Sequence, residues 1–175
     1  MKEKILLWIV LVLPYLGLFF LWQYHKSEIL KIANASFIVV SKEEMVLSLY
    51  DYKGKVLGKY PVACGKNLGD KQVKGDMRTP EGVFTIWDIQ NATHWGYDFG
   101  DGKGEIKGAY GPYFIRLLTP NHQGIGIHGT HDEESIGTRA TEGCIRMKNK
   151  DLEELVKMIK IGTVVVIIPS KQDVI

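Results

Sequence analysis

Between Ile5 and Trp22 the chain runs without a formal charge, ILLWIVLVLPYLGLFFLW, and Gln23 and Tyr24 extend the run. At about 1.5 Å rise per residue a helix of that length nearly spans a hydrocarbon core of roughly 30 Å. Trp8 and Trp22 stand towards its two ends, where indole rings favour a membrane interface, and Pro14 and Gly17 are tolerated better in a membrane helix than in a soluble one. The run is too long and too uniformly apolar for a buried core helix. A cleaved signal peptide is the competing reading, because Ala33-Asn34-Ala35 has the A-x-A form. It lies well past Trp22, however, across Lys26, Glu28 and Lys31, farther than a normal cleavage region. The sequence therefore predicts one uncleaved transmembrane helix, with membrane contact through residues 5–22. Lys2 and Lys4 on the leading flank put the N-terminus in the cytoplasm and residues 27–175 on the extracytoplasmic side of the cytoplasmic membrane.

The remainder reads as one domain, as a length of 175 residues suggests. The expected division is an anchor over 1–26, a linker over 27–35, a folded domain over 36–169 and a tail over 170–175. A hydrophobic fraction of 45% with 24% charged residues excludes a disordered chain. The net charge of +2 resides in the segment ending at Lys26, and beyond it basic and acidic side chains are equal in number. A neutral body carries no phosphate-seeking stripe, so nucleic acid is not an expected partner.

That body is mainly β with few helices, an α+β chain. Runs rich in β-branched and aromatic residues predict strands over Ser36–Val40, Met45–Tyr50, Lys55–Cys64, Gly82–Ile89, Tyr113–Leu118, Gly124–His128 and Thr163–Ile168, with a hairpin turn at Asp51-Tyr52-Lys53-Gly54. One segment has helical spacing. In Asn149–Lys160, Leu152, Leu155, Val156 and Ile159 fall at i, i+3, i+4 and i+7, with Asn149 or Asp151 as N-cap and Gly162 as the stop. Asp88–Tyr113 is rich in glycine, interspersed with Trp95, Tyr97, Phe99, Tyr110 and Tyr113. Such a mixture suits an irregular surface insertion or a wall over a substrate groove.

The chemistry concentrates in Ile125–Met147, IGIHGTHDEESIGTRATEGCIRM. His128 ends a strand, and farther along Cys144 follows Gly143 in a turn. A thiol attacks as thiolate, and an imidazole nearby can take its proton. Gly143 permits a sharp turn that aims amide N–H groups at a tetrahedral oxygen. Arg146, next but one after Cys144 in an extended stretch, shares its side and could hold a substrate carboxylate.

His128-Gly129 followed by Thr141-x-Gly143-Cys144-Ile145-Arg146-Met147 resembles the active-site signature of the L,D-transpeptidase (YkuD-type) catalytic domain. The upstream stretch from Gly65-Lys66 through Gly75-Asp76-Met77-Arg78-Thr79-Pro80-Glu81-Gly82-Val83-Phe84 is similar to the family's Lys…Thr-Pro-x-Gly-x-Phe element. The resemblance covers roughly residues 36–168. It implies a curved sheet or β-sandwich, acyltransfer on peptidoglycan stem peptides, and no metal or cofactor. By that likeness Cys144 is the nucleophile, attacking the L-centre carbonyl of the third-position diamino acid of a tetrapeptide with release of D-alanine. His128 is base and then acid; an amine of a second stem resolves the thioester in a 3→3 cross-link. Gly129 orients the imidazole through its carbonyl, Thr141 and Arg146 line the pocket, and amides near Gly143 and Cys144 form the oxyanion hole. Where many members carry His before the glycine, this chain has Glu142, a carboxylate that raises the thiol pKa or attracts an acceptor amine.

Three alternatives stand beside this reading: an L,D-carboxypeptidase of the same fold, a non-catalytic peptidoglycan-binding domain, and a zinc hydrolase using His128, His131 and Cys144. A Cys64–Cys144 disulfide would block the nucleophile, so Cys64 is expected as a buried free thiol. His25, His94 and His122 read as surface histidines. Asp132-Glu133-Glu134 reads as an acidic loop tip that could select a cationic substrate.

Overall fold

The computed structural model describes residues 15–24, 36–100, 102 and 104–174, and the chain divides after Ala35 into two units. In the first, residues 15–24 form a helix, α1. Among its apolar side chains Leu18, Phe20 and Leu21 are exposed. Residues 5–14 of the expected anchor fall outside the described residues. Among the described residues no helix is long and apolar enough to cross a membrane.

The second unit, Ser36–Ile175, is built on a nine-stranded sheet. Its strands are β1 (Ser36–Ser41), β2 (Val46–Asp51), β3 (Val56–Gly65), β4 (Gly82–Asn91), β7 (Tyr113–Leu118), β8 (Gly126–His128), β9 (Arg139–Thr141), β10 (Ile145–Met147) and β11 (Val164–Ile168). Two short strands, β5 (Gly96–Asp98) and β6 (Glu105–Lys107), form a separate hairpin. The order is β10-β8-β7-β4-β11-β1-β2-β3-β9, and β10 also pairs with β3, which curls the sheet into a closed, barrel-like wall. Alternation of apolar side chains drives this: Ile38 and Val40 of β1, Leu47 and Leu49 of β2, and Val165 and Ile167 of β11 all point into one core. The hairpin expected at Asp51–Gly54 joins β2 to β3, which pair antiparallel, while β1 also pairs antiparallel with β2 and Phe37 stacks on Tyr50 across that pair at 5.1 Å. At the turn after β2, Asp51 Oδ1 accepts the Lys53 and Lys55 amides.

The helix α2 is shorter than its periodicity predicts, Asn149–Val156, and buries Leu152 and Leu155 against the core. Met158 and Ile159 reach that core from the turn that follows, so the apolar spacing continues after the helical backbone has ended. Neither Asn149 nor Asp151 caps it. The cap position is Lys148, without a side-chain bond, and Asn149 is spent elsewhere.

The long loop between β3 and β4 is fixed from below. Gly65 N–H donates to Thr79 Oγ1 at 2.8 Å, and any side chain on Gly65 would collide with the Met77 carbonyl. Lys42, fully buried at the end of β1, meets Glu81, the Gly69 carbonyl at 2.9 Å and Asp173 at 3.0 Å. Asp173 belongs to a 3-10 turn, Lys171–Val174, and also accepts the Gly69 and Ser170 amides. Burial alone would raise its pKa, but those two amides and Lys42 hold it well below the carboxylate range. Loop, strand end and C-terminal turn are thus joined at one charged knot.

Candidate active site

β8 and β10 run parallel as neighbours, with Ile127 opposite Ile145 and His128 opposite Arg146. Cys144 is next but one before Arg146, so the period of two puts Cys144, Arg146 and His128 on one face. All three line a cavity of about 310 Å³.

The imidazole is immobilised on three sides. His128 Nδ1–H donates to the Gly129 carbonyl at 2.7 Å, which leaves Nε2 as the lone-pair nitrogen, since a carbonyl can only accept. The ring stacks on Phe114, its cross-strand partner on β7, with centroids 5.6 Å apart and planes 7° from parallel, and Tyr110 meets it edge-on at 5.0 Å. Behind Gly129 the packing admits no side chain. A Cβ on Gly129 would collide with Asn149 Oδ1, and so would one on Gly111, whose φ of +65° already suits glycine. Asn149 Oδ1 accepts the Thr130 amide at 2.8 Å and its Nδ2 donates to the Thr130 carbonyl at 2.9 Å, so the first residue of α2 clamps the peptide after Gly129. Helical periodicity gave no sign of this use of Asn149; its position beside a His-Gly strand end becomes visible only in three dimensions.

Around the thiol, Gly143 has a φ of +133°, and a side chain there would come within 2.8 Å of the Arg78 carbonyl. Thr141 Oγ1 accepts the Gly143 amide at 3.2 Å and donates to the Cys144 carbonyl at 2.6 Å, so this residue shapes the turn. The thiol donates to the Gly124 carbonyl at 3.4 Å. Burial pushes the Cys144 thiol up to about 11 and pulls the His128 imidazole down to about 4. At neutral pH both groups are therefore uncharged, a thiol beside a neutral base. Opposing the burial of Cys144 are a Gly126 hydrogen bond and the Lys71 and Arg116 charges; Glu142 reinforces it.

The other expected residues fall as follows. Arg146 is buried, with Nη1 donating to Ser135 Oγ at 2.9 Å and Asp132 4.0 Å away, while Nε has no partner among the described residues. Asp132 thus faces an arginine within the chain. Glu142 is exposed and accepts the Tyr97 hydroxyl at 2.7 Å, which pushes Tyr97 up to about 12. Tyr97 belongs to the β5–β6 hairpin, so the glycine-rich insertion supplies a wall of the cavity, joined by Phe99 and Tyr110. Cys64 is free and fully buried, and burial pushes it up to about 11. His131 packs against Phe99 at 5.3 Å, and among the described residues no three His, Cys, Asp or Glu side chains are grouped to hold a metal. Lys71 and Lys74 line the cavity without having been anticipated. Lys71, from the β3–β4 loop, is 6% exposed and paired with Asp76 at 2.7 Å.

Residues 35–167 match the profile of the L,D-transpeptidase catalytic domain, YkuD. The protein named L,D-transpeptidase YkuD in Bacillus licheniformis is 35% identical over 132 residues, 75% of this chain and 65% of that protein. Its Bacillus subtilis namesake is 33% identical over 130 residues, 74% and 63% of the two lengths. The chain therefore spans just under two thirds of these relatives. Among solved structures, the catalytic domain of the Enterococcus faecium L,D-transpeptidase superposes with a TM-score of 0.55 at 24% identity, over 77% of this chain and 98% of that domain, a likeness of fold. With the family profile covering residues 35–167, this chain belongs to the YkuD-type L,D-transpeptidase catalytic domain family.

Proposed function

We propose that the protein is a membrane-anchored cysteine acyltransferase that acts on peptidoglycan stem peptides on the extracytoplasmic side. The observation that carries this is the cavity shared by His128, at the end of β8, and Cys144, in the turn that enters the adjacent parallel strand β10, with Nδ1 tied to Gly129 and the lone pair of Nε2 left for the thiol proton. In the reaction the thiol proton passes to His128 Nε2 as Sγ attacks the carbonyl of the third stem residue. The oxyanion falls to the Cys144 amide, because the Gly143 amide is engaged by Thr141. Collapse breaks the C–N bond, and the imidazolium returns the proton to the leaving amine of D-alanine. An acceptor amine then attacks the thioester, losing its proton to His128, and the thiol is regenerated with a new amide bond.

Two further features support the reading. Cys144 also borders a second cavity, of about 420 Å³, beside Trp95 and Arg116, which gives a second peptide its own approach to the thioester. The apolar side chains of residues 15–24, exposed along α1, fit a lipid surrounding for the uncharged run from Ile5 to Trp22.

The test is intact-mass analysis of the protein and of Cys144→Ala after incubation with a disaccharide-tetrapeptide. Cysteine-dependent loss of D-alanine with formation of a dimer is the expected result. Loss without a dimer assigns the carboxypeptidase reaction, and an unchanged substrate with no adduct on Cys144 overturns the catalytic reading in favour of a binding domain.

A further inference from the structure

Three cationic side chains, Lys71, Lys74 and Arg146, line the cavity of Cys144 against a single carboxylate, Glu142. A cavity so lined favours an anionic group on its ligand, and the three cations are not equivalent. Arg146 is directed to Ser135 and Asp132, and Lys74 is exposed at the rim. Lys71 is 6% exposed, and its Nζ lies 3.5 Å from the point where a side chain on Gly143 would begin. Among the described residues it makes one hydrogen bond, to Asp76 Oδ1 at 2.7 Å, which leaves two of its three donors for an occupant of the cavity. Asp76 also accepts the Gln72, Val73 and Arg78 amides, so its carboxylate is fully committed within the loop. The loop thereby presents a fixed cation beside the nucleophile turn, at the cost of desolvating it.

We propose that Lys71 is the specificity residue that reads the free C-terminal carboxylate of the donor peptide, restricting the enzyme to stems that end one residue beyond the bond it cleaves. The inference rests on the reading of Cys144 as nucleophile. In such a donor the carboxylate carbon lies three bonds beyond the scissile carbonyl carbon. When that carbonyl sits over Sγ, the carboxylate falls beside the Gly143–Cys144 turn, where the ammonium waits. A stem one residue longer places a neutral peptide group there and forfeits the charge-assisted hydrogen bond.

The experiment compares acylation of Cys144 in the full chain, held in detergent, by a disaccharide-tetrapeptide and by the same donor with a C-terminal D-alaninamide. The expected preference for the acid is about 10–100-fold, the range for a hydrogen bond to a charged group. Lys71→Met should bring the preference to within about threefold of unity, and Lys71→Arg should retain most of it, because charge and donors survive. The double variant Lys71→Met/Asp76→Asn leaves no unpaired carboxylate in the loop and should lose the preference as Lys71→Met does, with a lower melting temperature because the asparagine Nδ2 cannot accept the loop amides that Asp76 holds. Equal acylation by both donors in the unaltered protein, or a preference that survives Lys71→Met, overturns the proposal while leaving Cys144 as nucleophile. Absence of any Cys144 adduct from either donor removes the reading on which it stands, and the proposal with it.

Discussion

His128 ends β8 and Cys144 immediately precedes β10, two strands joined by a backbone ladder, whereas Lys71 and Tyr97 reach the same cavity from a loop and a small hairpin tied down by side chains. The ladder is repeated across β7, β8, β10 and β3, and it is made of main-chain pairs that do not titrate. The walls depend on ionisable contacts: a largely buried Lys71–Asp76 pair on one side and an exposed Glu142–Tyr97 bond on the other. The floor should therefore hold its geometry through changes of salt and modest pH, even though Cys144 and His128 themselves titrate, while the geometry of the walls should respond to both.

The sharpest way to break this comparison is to damage the floor. Cys144→Ala should reduce D-alanine release by about 10,000-fold or more, the scale of removing a nucleophile from a site whose members act as a unit. His128→Gln should cost about 1,000-fold with the fold retained, as circular dichroism would show. Gly111→Ala probes the floor from behind. The new methyl meets Asn149 and lies 2.7 Å from the Gly129 Cα, at a φ of +65°, so it must push the carbonyl that holds His128. A displacement of about 1 Å should cost about 100-fold in kcat. A Gly111→Ala enzyme with normal kcat would mean that the Gly129 contact does not set the imidazole.

Much of the floor is legible in the sequence because it is built from short-range rules. Alternating β-branched residues predict the strands, and a His-Gly strand end followed by a Gly-Cys turn predicts the pair that the sheet brings together. The walls and their supports are not legible in the same way. Residues 66–81 read as a polar, glycine-containing loop, and nothing local shows that Asp76 collects Lys71 and three amides or that Lys71 is thereby aimed at Gly143. Lys42 is more extreme. A lysine at a strand end reads as solvated, yet Glu81, Asp173 and Gly69, all distant in sequence, bury it completely. Asn149 fails for a related reason, since a residue that suits an N-cap was drawn into a tertiary contact. What escaped at Lys42 and Asn149 was a polar partnership distant in sequence, and at Asp76 a local one set by the path of the loop; neither leaves a periodicity behind.

The protonation state offers a middle-sized test. Burial holds the thiol near 11 and the imidazole near 4, so between pH 7 and 10 His128 is neutral and the thiolate is a small fraction that grows with pH. Alkylation of Cys144 by iodoacetamide should rise about tenfold per pH unit across that window. A rate already at its plateau at pH 7 would instead reveal a preformed thiolate–imidazolium pair. The same shift bears on stability: the unfolded chain protonates His128 near 6.5 and the folded chain only near 4, so this contribution is present above 6.5 and is lost as pH falls towards 4.

Glu142→Gln is expected to have the smallest effect, and it addresses the wall alone. Glu142 opposes ionisation of Cys144 and of Tyr97, so neutralising it lowers both pKa values. The carboxylate is exposed, and solvent and salt screen it; the gain in alkylation rate at pH 8 should be about two- to threefold and should shrink further in 0.5 M salt. Tyr97→Phe leaves the carboxylate in place and should leave that rate near its starting value, separating the charge from the hairpin contact. If Glu142→Gln altered alkylation by about tenfold or more, the exposed wall would be acting on the thiol as strongly as a buried charge does, and the division between an indifferent floor and a responsive wall would not hold.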